Sequence, residues 1–596
     1  MNSKTTSIWF VIAAALAGAI FAVHQYLQPP AAGPVLVLPN LSPASVTSIE
    51  IHPTNAPEIQ ANLTNGNWAL IQPMVFPAQS AAIEALLDAL QRLTAAPRIS
   101  AAELLKHKDA DAQYGLTAAP RLVIESDNQR WQIIVGKKTA PGDAVYLRVV
   151  GVPGAFVTDA NWLKLIPRSA DDWRDRSLAG VMENFDSILV TNGIKGLAMA
   201  FHRDPGTRLW RMTQPLQARA DSGHIAELLQ RIQQGEIQQF IGVSSTNDLA
   251  HLGLQPPNLT LSLAGAGLPV VFQLGNALTN DASRIYGERV GLDTVFTTVA
   301  ATFAPWYGAV NSFRDTNLLE LTAPVAEIEM RGPGTNHFVL RREGTNDWKI
   351  PGYAFPVDAA NVELLIRTLA SLHIADFVKD AVTPADLPAY GLDKPSREII
   401  LRPATGGSNN VIANVELGTN QNNEVYVRRP RENFIYGITM EDYNRLPEQA
   451  WEFRSRRIWN FNVNDVTQVL LDEAGRKRRI LHGGPGKWDL AADSTGILDE
   501  NGTDQAVQEL AHLTAVGWAG HNLKHPGYYG FTTNSLRVTV VLNDGKKCSV
   551  EFGLPISGES ALASVKLDHG EWAFIFPPGA YQLVSQYLTL PARPSP

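Results

Sequence analysis

Strict alternation of apolar and polar positions opens successive quarters of this chain, as in Val46-Thr47-Ser48-Ile49-Glu50-Ile51 and Val325-Ala326-Glu327-Ile328-Glu329-Met330. Period two marks strands with one buried face. A turn follows, Asn65-Gly66-Asn67 or Gly344-Thr345-Asn346-Asp347. The returning strand then carries a tryptophan with an apolar residue two places on: Trp68 and Leu70, Trp210 and Met212, Trp348 and Ile350, Trp488 and Leu490. Both members of a pair share one face, so the tryptophans are expected to plug the space between hairpin and helix, not to form a stacking platform for a ligand. Pro73, Pro215 and Pro351 close that strand in three copies, because proline cannot donate to a ladder.

The period then changes. Ile83, Leu86, Leu87, Leu90 and Leu93 recur at helical spacing and form one apolar stripe. The stripe returns at Ile225, Leu228, Leu229 and Ile232, at Val362, Leu365, Ile366, Leu369 and Leu372, and more roughly at Val507, Leu510 and Leu513. A loop of about twenty residues leads to Tyr114-Gly115-Leu116, Leu252-Gly253-Leu254, Tyr390-Gly391-Leu392 and Tyr529-Gly530-Phe531. Glycine is expected there for a positive φ or for close backbone approach. The next hairpin ends at Gly136, Gly275, Gly418 or Gly553, and a further strand holds Tyr146, Tyr286 or Tyr426. A last strand and a short helix finish the unit.

These landmarks repeat at a fixed period. The tryptophans are 142, 138 and 140 residues apart, and Gly115, Gly253, Gly391 and Gly530 are 138, 138 and 139 apart. A constant period means one structural unit copied in tandem. The expected fold class is therefore α+β: four tandem repeats of about 140 residues, each of antiparallel hairpins on one main helix with a short C-terminal helix. Copies are expected at 44–180, 181–320, 321–460 and a divergent 461–590, before a tail at 591–596. Trp173-Arg174, Phe313-Arg314 and Phe453-Arg454 stand 27 residues after the tyrosines, and no counterpart follows the fourth copy. A motif confined to the junctions reads as a connector, in which the arginine pins neighbouring backbone or carboxylate through its donors.

Ahead of the copies, Ile8 to Val23 is an uncharged apolar run flanked by Trp9 and Tyr26. At about 1.5 Å per residue, extension through Leu27 reaches about 30 Å, one hydrocarbon thickness. Lys4 precedes the run and no Lys or Arg recurs until Arg92, a bias that places residues 1–7 in the cytoplasm and everything after the anchor outside. Residues 8–27 are thus expected to be a retained transmembrane anchor, with a Pro-rich linker at 28–43. A cleaved signal peptide is the competing reading; no small-residue site follows the run.

Composition excludes more than it assigns. With 45% apolar and 18% charged residues the chain reads as folded, and a net charge of -8 with scattered basic residues gives no stripe for a nucleic-acid backbone. One cysteine, Cys548, rules out a disulfide framework and reads as a packing position. No Walker loop, Gly-x-Ser-x-Gly elbow or His-Glu-x-x-His helix is present. His521 and His525, four apart with His512 nearby, are the best metal candidates, yet Pro526-Gly527 follows at once and a surface loop is the expected reading. Asp499 to Asp504 hints at a calcium loop, but its glycine is misplaced and a turn with a helix cap is expected. No cofactor is expected.

Taken together, the Trp-x-apolar hairpin, the Tyr-Gly-Leu turn, the Val-Tyr-x-Arg strand and the Trp-Arg junction resemble the bacterial family of domain of unknown function 4340. The resemblance spans most of residues 44–590, departs at Leu252, and weakens in the fourth copy, which lacks the Pro and the Tyr. It implies a single-pass inner-membrane protein with its repeats outside the cytoplasm. Because members are often encoded beside ABC transporter subunits, it also implies a non-enzymatic accessory or scaffold role in such a complex. Two alternatives stand beside this: binding of an envelope polysaccharide or peptide, and a hydrolase in the fourth copy around His512, His521 and His525.

Overall fold

The computed structural model describes residues 3–26, 35–106, 109–180, 185–242, 246–292, 294–333, 336–345, 347–404, 410–419, 422–553 and 562–589. The chain divides into two compact units, residues 1–314 and 315–596. Each contains two antiparallel sheets, of ten and nine strands in the first unit and eight and eight in the second.

The third sheet shows the shared plan. Its strands, numbered in chain order, are β1 (Val325–Arg331), β2 (His337–Arg342), β3 (Trp348–Lys349), β4 (Asp376–Asp380), β5 (Arg397–Pro403), β6 (Ala413–Thr419), β7 (Val425–Arg428) and β8 (Phe434–Ile438), with the main helix Ala359–Ala370 between β3 and β4. The spatial order is β3-β2-β1-β5-β6-β7-β8-β4, and all four sheets contain it. β3 and β4 lie at opposite edges, so the connecting segment must cross the sheet, and the helix does so with its apolar stripe inward. Val362, Leu365 and Leu369 are buried in this copy, Ile83, Leu86, Leu87 and Leu90 in the first, and Val507 and Leu510 in the fourth. Each such side chain contributes about 1.5–3 kcal/mol of burial. In the fourth copy Asp499 caps the helix by accepting from the Gly502 amide, so the Asp-rich segment is a helix start.

The structure differs from the sequence reading in several places. The loop expected before each Tyr-Gly-Leu turn contains β4, an edge strand whose Asp376-Phe377-Val378-Lys379-Asp380 sequence carries the charges that blunt exposed edges and mask strand character. The equivalents are Thr94–Ile99, Ile237–Ile241 and Gly517–His521. In the first sheet Val35–Leu36 pairs outside that edge strand, and Val37, Leu38 and Leu41 are buried, so this end of the expected 28–43 linker belongs to the fold. Residues 27–34 and 590–596, which hold the rest of that linker and the expected tail, lie outside the described residues.

The transmembrane helix expected over 8–27 is not supported. A helix does form over Ser3–Tyr26, but among the described residues no helix is long and apolar enough to cross a membrane. The side chains of residues 8–21 are all exposed.

Candidate functional site

The repeated residues go into packing. Trp68, Trp210, Trp348 and Trp488 are 4%, 2%, 4% and 1% exposed, between hairpin and helix. Two of them tie to that helix: the Trp348 indole N–H donates to Glu363 at 3.3 Å and the Trp488 N–H to Asp504 at 3.0 Å. Gly115, Gly253, Gly391 and Gly530 adopt φ of 72°, 72°, 66° and 76°, the left-handed region. The glycines ending the fifth-to-sixth-strand hairpin serve the same turn from the other side. A Cβ on Gly136, Gly275, Gly418 or Gly553 would stand 2.2–2.5 Å from a carbonyl oxygen of the facing turn. Two chain segments thus meet backbone to backbone, and only hydrogen atoms fit between them.

The tyrosines close over that meeting point. Tyr146 packs on Tyr114 with ring centres 4.6 Å apart, and Tyr426 on Tyr390 at 4.9 Å. Burial pushes the Tyr426 phenol up to about 12, with the carboxylate it donates to, Glu424 at 2.8 Å, acting in the same direction. Tyr286 holds the same strand position but faces a copy in which Leu252 stands for the turn tyrosine.

The junction arginines are buried clamps. Arg174 is 6% exposed; its Nη2 donates to Thr294 at 2.6 Å and its Nη1 to Asp171 at 3.1 Å. Its guanidinium lies 4.3 Å from the Phe76 ring centre and 3.7 Å from that of Phe240, one ring from each sheet of its unit. Burial pulls its pKa down, opposed by Asp171. Arg454 repeats the arrangement in the second unit, paired with Asp568 and set against Trp572 at 4.4 Å, Trp518 at 5.2 Å and Phe355 at 5.7 Å. Arg314 donates to Asn311 at 3.2 Å, and its segment bridges to Ala220.

Backbone bonds run beside both clamps. The Gln79 amide donates to the Trp173 carbonyl, Asp175 to Pro77 and Ile237 to Arg176, matched by Asp358 to Phe453, Ser455 to Pro356 and Ala515 to Arg456. The connector is therefore a strand shared by two successive copies. A second arginine escaped the sequence reading. Arg289 and Arg429, three residues after Tyr286 and Tyr426, donate to the Leu178 and Leu318 carbonyls at 3.4 and 2.9 Å. The signal was their common offset from the tyrosine.

Opposite its helix, the third sheet carries a charged ladder. Arg402 donates to Glu327 at 2.8 Å and to Glu329 at 2.7 Å, and Arg331 donates to Glu329 at 2.7 Å. Burial alone would raise the Glu329 carboxyl; hydrogen bonds from Arg402, Arg331 and His337 outweigh it and hold the group below its ordinary 4.5. A depressed carboxyl contributes stability that is fully present above the unfolded-state value and lost as pH falls through the lower folded value. Wild type is thus expected to have a higher urea midpoint than Glu329→Gln at pH 7, with the gap closing below about pH 4. Parallel urea titrations at pH 7 and pH 3 check this.

The three candidate histidines do not converge. His512 Nδ1 donates to Asn460 at 3.1 Å, His521 stacks on Trp572 at 4.0 Å, and His525 meets the Tyr528 ring edge-on at 5.4 Å. Burial, then the nearby Arg454 charge, lowers the His521 pKa, and that charge also disfavours a cation there. Among the described residues the group with metal-ligand spacing is Glu50, His52 and Glu58, within 4.8 Å of one another. His52 turns Nε2 to Glu50 and Nδ1 to Glu58, each at 3.3 Å, so each carboxylate takes a different ring nitrogen. Cys548 is buried, and burial raises its thiol pKa, which disfavours the nucleophilic thiolate.

One concave polar feature of the fourth sheet is a cavity of about 580 Å³ between the Asn460–Asn464 segment, His482 and the helix face bearing Asp504, Gln508 and His512. Asp504 accepts from Trp488 on one oxygen and from Gln508, at 2.8 Å, on the other. His482 stacks on Trp488 at 4.3 Å, and its Nδ1–H donates to the Val466 carbonyl at 2.8 Å. Its Nε2, screened from solvent, has no hydrogen-bond partner. The sequence signal for this site was the spacing of Asp504, Gln508 and His512, four apart on one helix face beside the apolar stripe.

Compared with known proteins, the chain matches the model of the family described as domain of unknown function (DUF4340) in three segments, residues 68–205, 210–352 and 348–534. The family repeat therefore occurs three times where four copies were expected. Each match starts at or next to a hairpin tryptophan and runs across a junction, so its phase differs from that of the sheets, and the last ends inside the fourth sheet. No curated protein and no solved structure matches.

Proposed function

The chain belongs to the family of the domain of unknown function DUF4340, and from that membership we propose a non-enzymatic, membrane-tethered extracytoplasmic scaffold, an accessory subunit of an ABC-transporter-like envelope complex. The observation that carries the reading is the first helix, where Trp9, Phe10, Val11 and Phe21 are 67%, 79%, 68% and 66% exposed. Apolar area left in water costs about 25 cal/mol per Å², and a helix without a polar face gains that back only in lipid or against a partner. Lys4 before the helix and the long basic-free stretch after it support a reading with the amino terminus inside and the sheets outside. The commitment of the repeated residues to packing supports a role in which surface, not chemistry, is used. The transporter partner extends from the family resemblance alone. Affinity purification of the full chain in mild detergent tests it: an ABC-type permease or ATPase subunit is expected to co-purify, and recovery of the chain with no transporter subunit contradicts the proposal.

A further inference from the structure

The cavity of the fourth sheet is built for a neutral polyhydroxyl ligand, and we propose that it binds a saccharide. This inference is independent of the scaffold reading. Among the described residues that line the cavity there is no Lys or Arg, and Asp504 supplies a negative charge, so a phosphate or carboxylate ligand would meet repulsion and no counter-charge. Donors and acceptors instead alternate around the space. Gln508 spends its Nε2 on Asp504 and keeps its carbonyl oxygen, Asn460 spends Oδ1 on His512 and keeps its amide nitrogen, and Asn462 spends Oδ1 on the Asn464 amide and keeps its nitrogen. A hydroxyl both donates and accepts, and vicinal hydroxyls match such mixed pairs better than a purely cationic or anionic group does. The half-buried Phe461 ring adds an apolar surface of the kind a sugar's C–H face covers. A divalent cation fits less well, because Asp504 already accepts two hydrogen bonds and the His482, Asp504 and His512 ligand atoms do not fall within metal-ligand spacing. The cavity volume of about 580 Å³ accommodates two or three pyranose rings in part.

Calorimetric titration of the full chain with chitotriose, maltotriose and cellotriose, and separately with zinc and calcium chloride, tests the proposal. At least one trisaccharide is expected to bind saturably, and Gln508→Ala and Asn460→Ala are each expected to weaken it by about tenfold, the loss of one hydrogen bond of ~1.4 kcal/mol. Both variants should keep the wild-type thermal midpoint, which separates lost recognition from lost folding. No heat from any of the three sugars, sugar binding that survives both substitutions, or binding of a metal ion alone overturns the proposal.

Discussion

Replacing Arg454 with methionine is expected to destabilise the second unit by about 3 kcal/mol, the loss of a charge-assisted hydrogen bond together with buried cation–π contacts. The stem volume is largely kept, so the loss reports the charge. Asp568 would be left without its cation, and the rings of Trp572, Trp518 and Phe355 would lose the guanidinium they surround. Desolvated cation–π contacts contribute up to ~2 kcal/mol of that total. Arg454→Lys is expected to recover little, because an ammonium cannot form the planar stack. Asp568→Asn should cost less, about 1 kcal/mol, since that side chain is 36% exposed. Urea unfolding of the full chain, followed by tryptophan fluorescence, measures all three. Equal stability of Arg454→Met and wild type would remove the clamp from the account.

Gly418→Ala should come close to that effect, at about 3 kcal/mol, the upper end of overpacking costs. The added Cβ would sit 2.4 Å from the Gly391 carbonyl oxygen, 2.6 Å from its carbon and 2.7 Å from the Tyr390 oxygen. All three are backbone atoms, so no side chain can rotate away. Gly527→Ala is the control, because nothing lies within 4 Å of its added Cβ, and it should change stability by less than about 0.5 kcal/mol. The same urea titration decides it, and two equal effects would mean that the paired glycines are not there for close approach.

Those two variants also mark how far the sequence could be read. The glycines, tryptophans and helix stripes were legible because each owes its identity to a local requirement that recurs at a fixed period: a left-handed turn, a plugged hairpin, a buried helix face. That the two glycine series meet was not legible, since Gly391 and Gly418 are brought together by the chain fold and not by spacing. The edge strand Asp376–Asp380 was read as loop because protection of an edge demands charges where strand patterns show apolar residues. The Arg289 and Arg429 bonds to Leu178 and Leu318 span a whole copy, so no window of sequence holds both partners. The cavity was hidden for a related reason: Asn460 and His512 are 52 residues apart, and the histidines that drew attention, His521 and His525, point elsewhere.

Tethering through the first helix is tested most directly by liposome flotation. Full-length chain and a chain lacking residues 1–34 are mixed with liposomes of neutral and anionic phospholipid and spun through a density gradient. The full chain is expected to float with the lipid at high salt, and the shortened chain to stay at the bottom with its sheets intact by circular dichroism. A full-length chain that remains at the bottom, or a shortened chain that floats equally well, would contradict tethering through this helix.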